Sequence, residues 1–176
     1  MKIYFAADHA GFDLKAKLMA FVSDRSTAAT PFDVRDCGAF AYDPADDYPD
    51  IIARAGAALA ADAAQGIESR AIVLGASGQG EAMVMNRFKG VRCALYYGEP
   101  DRAQTDASGK ELDMLSSTRA HNDANALSLG ARFLSEDAAK SAVERWLGIP
   151  FSGGERHLRR VRKIDRLAGW SRIGFA

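Results

Sequence analysis

Short apolar runs alternate with segments of helical period along this chain, and that alternation predicts an α/β fold. Three observations carry the prediction. Five runs of strand length, residues 3–7, 32–37, 71–74, 91–96 and 126–130, are rich in Ala, Ile, Val, Leu and Tyr. Between them lie amphipathic or Ala-rich stretches long enough for helices. A glycine-rich turn, Gly75-Ala76-Ser77-Gly78-Gln79-Gly80-Glu81, joins one apolar run to one such stretch.

The first strand, residues 3–7, leads into Asp8-His9-Ala10-Gly11, after which Phe12, Leu14, Leu18 and Phe21 recur at helical spacing. Asp8 and His9 therefore stand at a strand's carboxyl end, where open α/β sheets place their ligand groups. Asp8 also reads as an ordinary helix N-cap with His9 incidental. A second strand, 32–37, is followed by a loop, 38–49, that ends in Asp47-Tyr48-Pro49 and opens an Ala-rich helix from about residue 50 to 64. Tyr48 fits a residue lying over a ligand and equally a packing anchor at a helix start.

The central turn follows strand 71–74, with a helix expected over 81–88 and a strand over 91–96. Glycines at 75, 78 and 80 allow a tight turn and bring bare N–H groups close to a ligand. Such a turn suits a phosphate, or an oxygen that gains negative charge in a reaction. Its spacing is neither the dinucleotide G-x-G-x-x-G nor a P-loop, and Ser77 lacks the G-x-S-x-G frame of a nucleophile elbow. An ordinary βα turn has the same spacing. Glu81 at the helix start fits a dipole-stabilising carboxylate or a base held over the turn.

Residues 98–118 form a polar segment without clear apolar period, with Leu112, Met114 and Leu115 compatible with a short helix. Arg119-Ala120-His121-Asn122-Asp123-Ala124-Asn125 is a dense polar cluster before the fifth strand and Arg132. Ala139, Val143, Trp146 and Leu147 share one side of a helix over 136–147. After Pro150 and Gly153-Gly154, a basic segment carries Leu158, Val161, Ile164 and Leu167 at helical spacing. Arg156 and Arg160 stand on one face of that helix. They read as a solvated face or as a guanidinium fork for phosphate. A helix leaving the body after a Gly-Gly break suggests packing on a second copy, hence a homodimer.

The length of 176 residues fits one domain, 1–150, with a basic C-terminal tail, 151–176. A formal net charge of zero argues against nucleic-acid or membrane binding by bulk charge. No signal peptide and no membrane span is expected. Cys37 and Cys93 form no metal pattern and read as two reduced thiols in a cytoplasmic protein, a single disulfide being the alternative. The three histidines, His9, His121 and His157, all fall within polar clusters, which favours a site that moves protons near neutral pH.

These pieces resemble one family. Ala7-Asp8-His9-Ala10-Gly11-Phe12, Asp47-Tyr48-Pro49, the glycine-rich turn with Asn86 and Arg92, His121-Asn122-Asp123-Ala124-Asn125 with Gly130 and Arg132, and Gly153-Gly154 with Arg156-His157 and Arg160 run in the order found in the B-type ribose-5-phosphate isomerases and galactose-6-phosphate isomerase subunits. The resemblance implies a Rossmann-like α/β/α sandwich with a five-stranded parallel sheet, and a homodimer, with pairing of dimers left open, whose sites use both chains. Many relatives carry a cysteine base at the position of Gly75; another branch uses the glutamate that matches Glu81. By resemblance, Asp8 and His121 help open the sugar ring, and Ser77 with the amides of Gly78 and Gly80 forms the enediolate's anion hole. Asn122 contacts a hydroxyl, and His9, Arg132, Arg156 and Arg160 surround the phosphate.

The implied reaction is aldose–ketose isomerisation of ribose 5-phosphate and ribulose 5-phosphate, with no metal or organic cofactor and no metal-ligand cluster. Residues 101–118 exceed the corresponding stretch of typical members, and extra residues surround Ser26 to Pro31. That leaves a hexose 6-phosphate (galactose or allose 6-phosphate) or a tetrose phosphate as alternative substrates. The missing cysteine leaves a non-catalytic sugar-phosphate-binding subunit as a third reading.

Overall fold

The computed structural model describes residues 1–102, 104–106, 109 and 111–167. Its main sheet has five parallel strands in the order β2-β1-β3-β7-β4. They are β1 (Lys2–Ala7), β2 (Asp33–Asp36), β3 (Ser69–Gly75), β4 (Cys93–Tyr96) and β7 (Ala126–Gly130). Helices α1 (Phe12–Asp24), α2 (Tyr48–Ala64), α3 (Gln79–Met85), α4 (Met114–Asn122), α5 (Glu136–Gly148) and α6 (Glu155–Leu167) complete the fold, with a two-stranded antiparallel pair, β5 (Gln104–Thr105) and β6 (Glu111–Leu112).

Strand alternation splits the core into two layers. Ile3, Phe5, Ile72, Leu74, Leu127 and Leu129 face α1, α4 and α5, meeting Leu18, Leu115, Val143 and Trp146. Tyr4, Ala6, Ala71, Val73 and Ala126 face the other way, against Ile52, Ala55 and Leu59 of α2 and Met85 of α3. Helices on both faces make the expected three-layer sandwich. β1 lies between β2 and β3, so the connections leave it in opposite directions. The crevice outside the carboxyl ends of β1 and β3 is thus a topological switch point, the usual ligand position in such sheets.

Several boundaries differ from the sequence expectations. The second helix begins at Tyr48 rather than near residue 50: extended Asp47 stands at its N-cap position without a side-chain cap, and Pro49 sits in its first turn, where no amide hydrogen is needed. Helix α3 covers 79–85 rather than 81–88. It stops at Asn86, whose carboxamide donates to the carbonyls of Ala82 (2.9 Å) and Cys93 (3.0 Å) and accepts from the Cys93 amide (2.8 Å). Asp8 is not the N-cap of α1. That position is Gly11, without a side-chain cap, while Asp8 Oδ1 accepts from the amides of Ala10 (2.9 Å) and Gly11 (3.1 Å).

The long polar segment is more ordered than its composition suggests. After the β5–β6 pair, Asp113 accepts from the Ser116 amide (2.8 Å) and caps α4. Leu112 belongs to β6, and the helix runs on through Arg119 to Asn122, into the stretch read as a polar cluster. Residues 103, 107, 108 and 110 of this segment, and 168–176 of the basic tail, lie outside the described residues. Among the described residues, no helix is long and apolar enough to cross a membrane. Cys37 and Cys93 are free thiols, as the sequence suggested.

Candidate active site

The glycine-rich turn closes the carboxyl end of β3. Gly78 has φ +71°, in the left-handed region, and stands as the N-cap of α3. Its carbonyl accepts from the Ser128 hydroxyl (2.6 Å), which ties the turn to β7. The next turn is stitched to it as well. The Ala131 amide donates to Gly75 O (2.8 Å) and the Arg132 amide to Ala76 O (3.1 Å).

Gly75 has a steric role. A Cβ there would lie 2.0 Å from Glu81 Oε1 and 2.1 Å from its Cδ. The Glu81 carboxylate therefore fills the space that any side chain at 75 would enter. A cysteine at position 75 and a glutamate at 81 in this pose exclude each other. Gly80 repeats the pattern, since a Cβ there would lie 2.5 Å from Tyr48 Cζ. Tyr48, the first residue of α2, thus packs its ring over the turn, a position compatible with both readings of it.

Glu81 is 4% exposed. Burial pushes its carboxyl above the ordinary range and the nearby Asp8 charge adds to this, while its own backbone N–H works in the opposite sense. The helix start alone would depress the pKa; desolvation outweighs it, and a carboxylate with raised pKa is a stronger base. Asp8 is also buried, at the end of β1. The neighbouring His9 places Nδ1 2.7 Å from Asp46 Oδ1. His9 is raised above the ordinary imidazole range, first by the hydrogen bond to Asp46 and then by the charges of Asp8 and Asp46, against desolvation and the Arg132 charge.

Asp46 lies 37 residues from His9, within the loop 38–49, and no sequence motif points to it. With it the fold assembles a group the sequence did not reveal. Candidate ligand atoms of Asp8, His9 and Asp46 lie within 4.8 Å of one another. The protein itself engages this group, however: Asp8 Oδ1 takes two amides and His9 Nδ1 takes Asp46.

The remaining site residues stand elsewhere. His121 and Asn122 end α4, just before the amino end of β7. Asn122 O accepts from Arg92 Nε (3.2 Å), and Asn125 O from the Ala71 amide (2.9 Å). Gly130, at the far end of β7, is in register with Gly75. The strand alone separates these two edges by about 13 Å, at about 3.3 Å per residue. His121 stacks on His157 of α6 with ring centroids 4.2 Å apart, and Arg156 and Arg160 are exposed on the same helix. His157 is held below the ordinary imidazole range by burial first and then by His121, Arg156 and Arg160. One chain therefore presents two groups on opposite edges of the sheet. Asp8, His9, Tyr48, Ser77, Gly78, Gly80, Glu81 and Arg132 form one; His121, Asn122, Arg156 and Arg160 form the other.

Comparison with known proteins decides the family. Residues 3–164 match the family model described as Ribose/Galactose Isomerase. The chain belongs to that family. The ribose-5-phosphate isomerase B of Mycobacterium tuberculosis strain H37Rv is 36% identical over 172 residues, covering 98% of this chain and 91% of the relative. The Escherichia coli K12 enzyme of the same name is 32% identical, covering 94% and 95%. Among solved structures, ribose-5-phosphate isomerase B from Mycoplasma genitalium with bound ribulose-5-phosphate superposes with a TM-score of 0.78 at 28% identity, covering 94% of this chain and 95% of that one. The Rossmann-like sandwich and the family drawn from sequence both hold.

Proposed function

We propose that this member of the family is an aldose–ketose isomerase that interconverts ribose 5-phosphate and ribulose 5-phosphate, with Glu81 as the base. The observation that carries the reading is the buried Glu81 carboxylate, seated against Gly75 at the switch point, with its pKa raised by burial. The names of the relatives and of the ligand-bound neighbour support the pentose.

In this mechanism Glu81 removes the proton from C2 of the open-chain aldose. The C2–H electron pair forms the C1–C2 double bond, and the negative charge moves to O1. Ser77 and the amides of Gly78 and Gly80 stabilise that oxygen, the form of catalysis a fixed donor set favours. A proton passes from O2 to O1, Glu81 returns its proton to C1, and C2–O becomes the ketose carbonyl. Asp8 and His121 assist ring opening, Asn122 holds a hydroxyl, and His9, Arg132, Arg156 and Arg160 hold the phosphate. No step calls for a metal or organic cofactor.

The mechanism needs both groups of residues, so the functional unit is a homodimer in which His121, Asn122, Arg156 and Arg160 of a second copy face Glu81. Incompletely covered apolar surface fits this. Met83 of α3 is 66% exposed and Ile164 of α6 is 45% exposed, on either side of the half-buried strand β4, whose outer edge has no partner strand among the described residues. The tail from residue 151 completes the phosphate site of the neighbouring copy. A cytoplasmic location fits the free thiols.

The longer 101–118 segment favours testing other sugars alongside. It runs into α4, whose first turn lies within it, and Asp106 acts electrostatically on His157. The direct experiment follows ribulose 5-phosphate formation from ribose 5-phosphate, with and without EDTA, beside C4 and C6 sugar phosphates. EDTA-insensitive turnover fastest with the pentose is expected. Preference for a C4 or C6 substrate would move the assignment within the class, and binding without turnover of any would favour the non-catalytic reading.

A further inference from the structure

Among the described residues, His9 is the member of the proposed phosphate shell whose orientation the fold fixes through a second side chain. The Asp46 side chain is only 9% exposed and meets His9 Nδ1 at 2.7 Å. Its other oxygen, Oδ2, is buried and has no hydrogen-bond partner. A buried carboxylate with one orphan oxygen is costly unless a cation faces it. Four charged or titratable groups surround His9 from three parts of the fold: Asp8 at the end of β1, Arg132 after β7, and from the loop before α2 both Asp46 and Tyr42, the latter edge-on at 6.4 Å. With Nδ1–H given to Asp46 Oδ1, Nε2 is a donor only in the protonated ring, which would set a positive charge against Asp46 and carry charge toward an anion.

We infer that Asp46 is a positioning residue, which holds His9 by Nδ1 and so turns its Nε2 edge toward the substrate phosphate. The inference rests on the isomerase reading above but is testable apart from it. Asp46 touches no substrate in this scheme and acts only through His9. It therefore controls binding of the phosphate group rather than the proton transfer at Glu81. The dependence on pH has a definite sign. His9 binds the anion best when protonated, and Asp46 keeps it protonated to higher pH. Removing the carboxylate moves loss of binding to lower pH.

The test uses Asp46→Asn and Asp46→Glu in the full chain. In Asp46→Asn, KM for ribose 5-phosphate should rise about tenfold, equivalent to one charge-assisted hydrogen bond, with kcat within about threefold of the parent. The fall of kcat/KM on the alkaline side of His9 should shift to lower pH. Asp46→Glu, which restores a carboxylate, should recover part of the KM and the shift. Nitrogen-15 spectra of the three histidines give a readout independent of turnover. The His9 titration should move down in Asp46→Asn, and binding of inorganic phosphate should weaken in parallel. An unmoved His9 titration with unchanged phosphate binding would overturn the inference, as would an equal, pH-independent loss in all parameters, which marks a merely structural role. Phosphate binding that disappears with EDTA and returns with zinc or magnesium would also overturn it and give the Asp8–His9–Asp46 group to a metal. If the parent protein shows no isomerase turnover, the isomerase reading fails while the spectra still decide the Asp46–His9 link.

Discussion

Replacing Gly75 by alanine changes one atom and aims it at the proposed base. The added Cβ would lie 2.0 Å from Glu81 Oε1 and 2.6 Å from Oε2. An ordinary contact is about 3.5 Å, so the carboxylate must retreat by about 1.5 Å. Glu81 can do so by rotating a flexible side chain, and Gly75 has no left-handed φ that would penalise alanine. The fold should survive with a stability change of about 1 kcal/mol or less. Catalysis should not, since misplacing a reacting group by about 1 Å costs about a hundredfold in rate. Steady-state kinetics with ribose 5-phosphate should show kcat down about a hundredfold, or about 2.7 kcal/mol in barrier height. KM should change little, because the phosphate shell is untouched. A Gly75→Ala protein with kcat within threefold of the parent would refute the placement of Glu81 as base.

Other outcomes follow from the same geometry. Because burial raises the Glu81 carboxyl, kcat/KM should climb with pH through a limb above the ordinary carboxylate range; a limb at or below that range would contradict it. The sign for stability is opposite. A raised folded pKa favours folding below the unfolded value and is lost as pH rises, so Glu81→Gln should melt at or above the parent's temperature at pH 7, with the gap closing in acid. Gly80→Ala places a Cβ 2.6 Å from Tyr48 Oη and should displace that ring, raising KM several-fold while thermal melting shows a retained fold. Asp62 illustrates the reverse linkage. Burial alone would raise its carboxyl, but Lys2 (2.8 Å) and Tyr4 (2.7 Å) together hold it below the ordinary range. Its contribution is present above the unfolded pKa and lost as pH falls through the lowered folded one, so Asp62→Asn should lower the melting temperature at pH 7, by an amount that shrinks as pH falls below the ordinary carboxylate range.

Parallel strands buried on both faces read as continuous apolar runs, and β1, β3 and β7 were legible for that reason, whereas the edge strand β2, Asp33–Asp36, is mostly exposed and carries only Val34 as an apolar residue. The glycine turn and the Asp8–His9 pair were legible because strand ends place ligand groups. Helix α4 was legible only at its start, in Met114 and Leu115, because the rest of its nine residues carry few apolar side chains and its first turn depends on the Asp113 cap. Asp46 was hidden by its distance in sequence from His9. The competition between Gly75 and Glu81 for one volume is likewise a fact of packing, and no spacing rule expresses it. Resemblance named His121 and Glu81 as one site, whereas the chain holds them at opposite edges of the sheet. A sequence carries no direct sign of which contacts come from a second copy.

Subunit mixing tests the central claim most directly. Glu81→Gln and His121→Asn homodimers should each be inactive toward ribose 5-phosphate. Unfolded and refolded together at equal amounts, they should recover about a quarter of parental specific activity, because half the dimers are mixed and each mixed dimer has one intact site. No recovery, despite mass-spectrometric proof of mixed dimers, would show that Glu81 and His121 do not share a site between two chains. Near-parental turnover by the Glu81→Gln protein alone would remove Glu81 as the base.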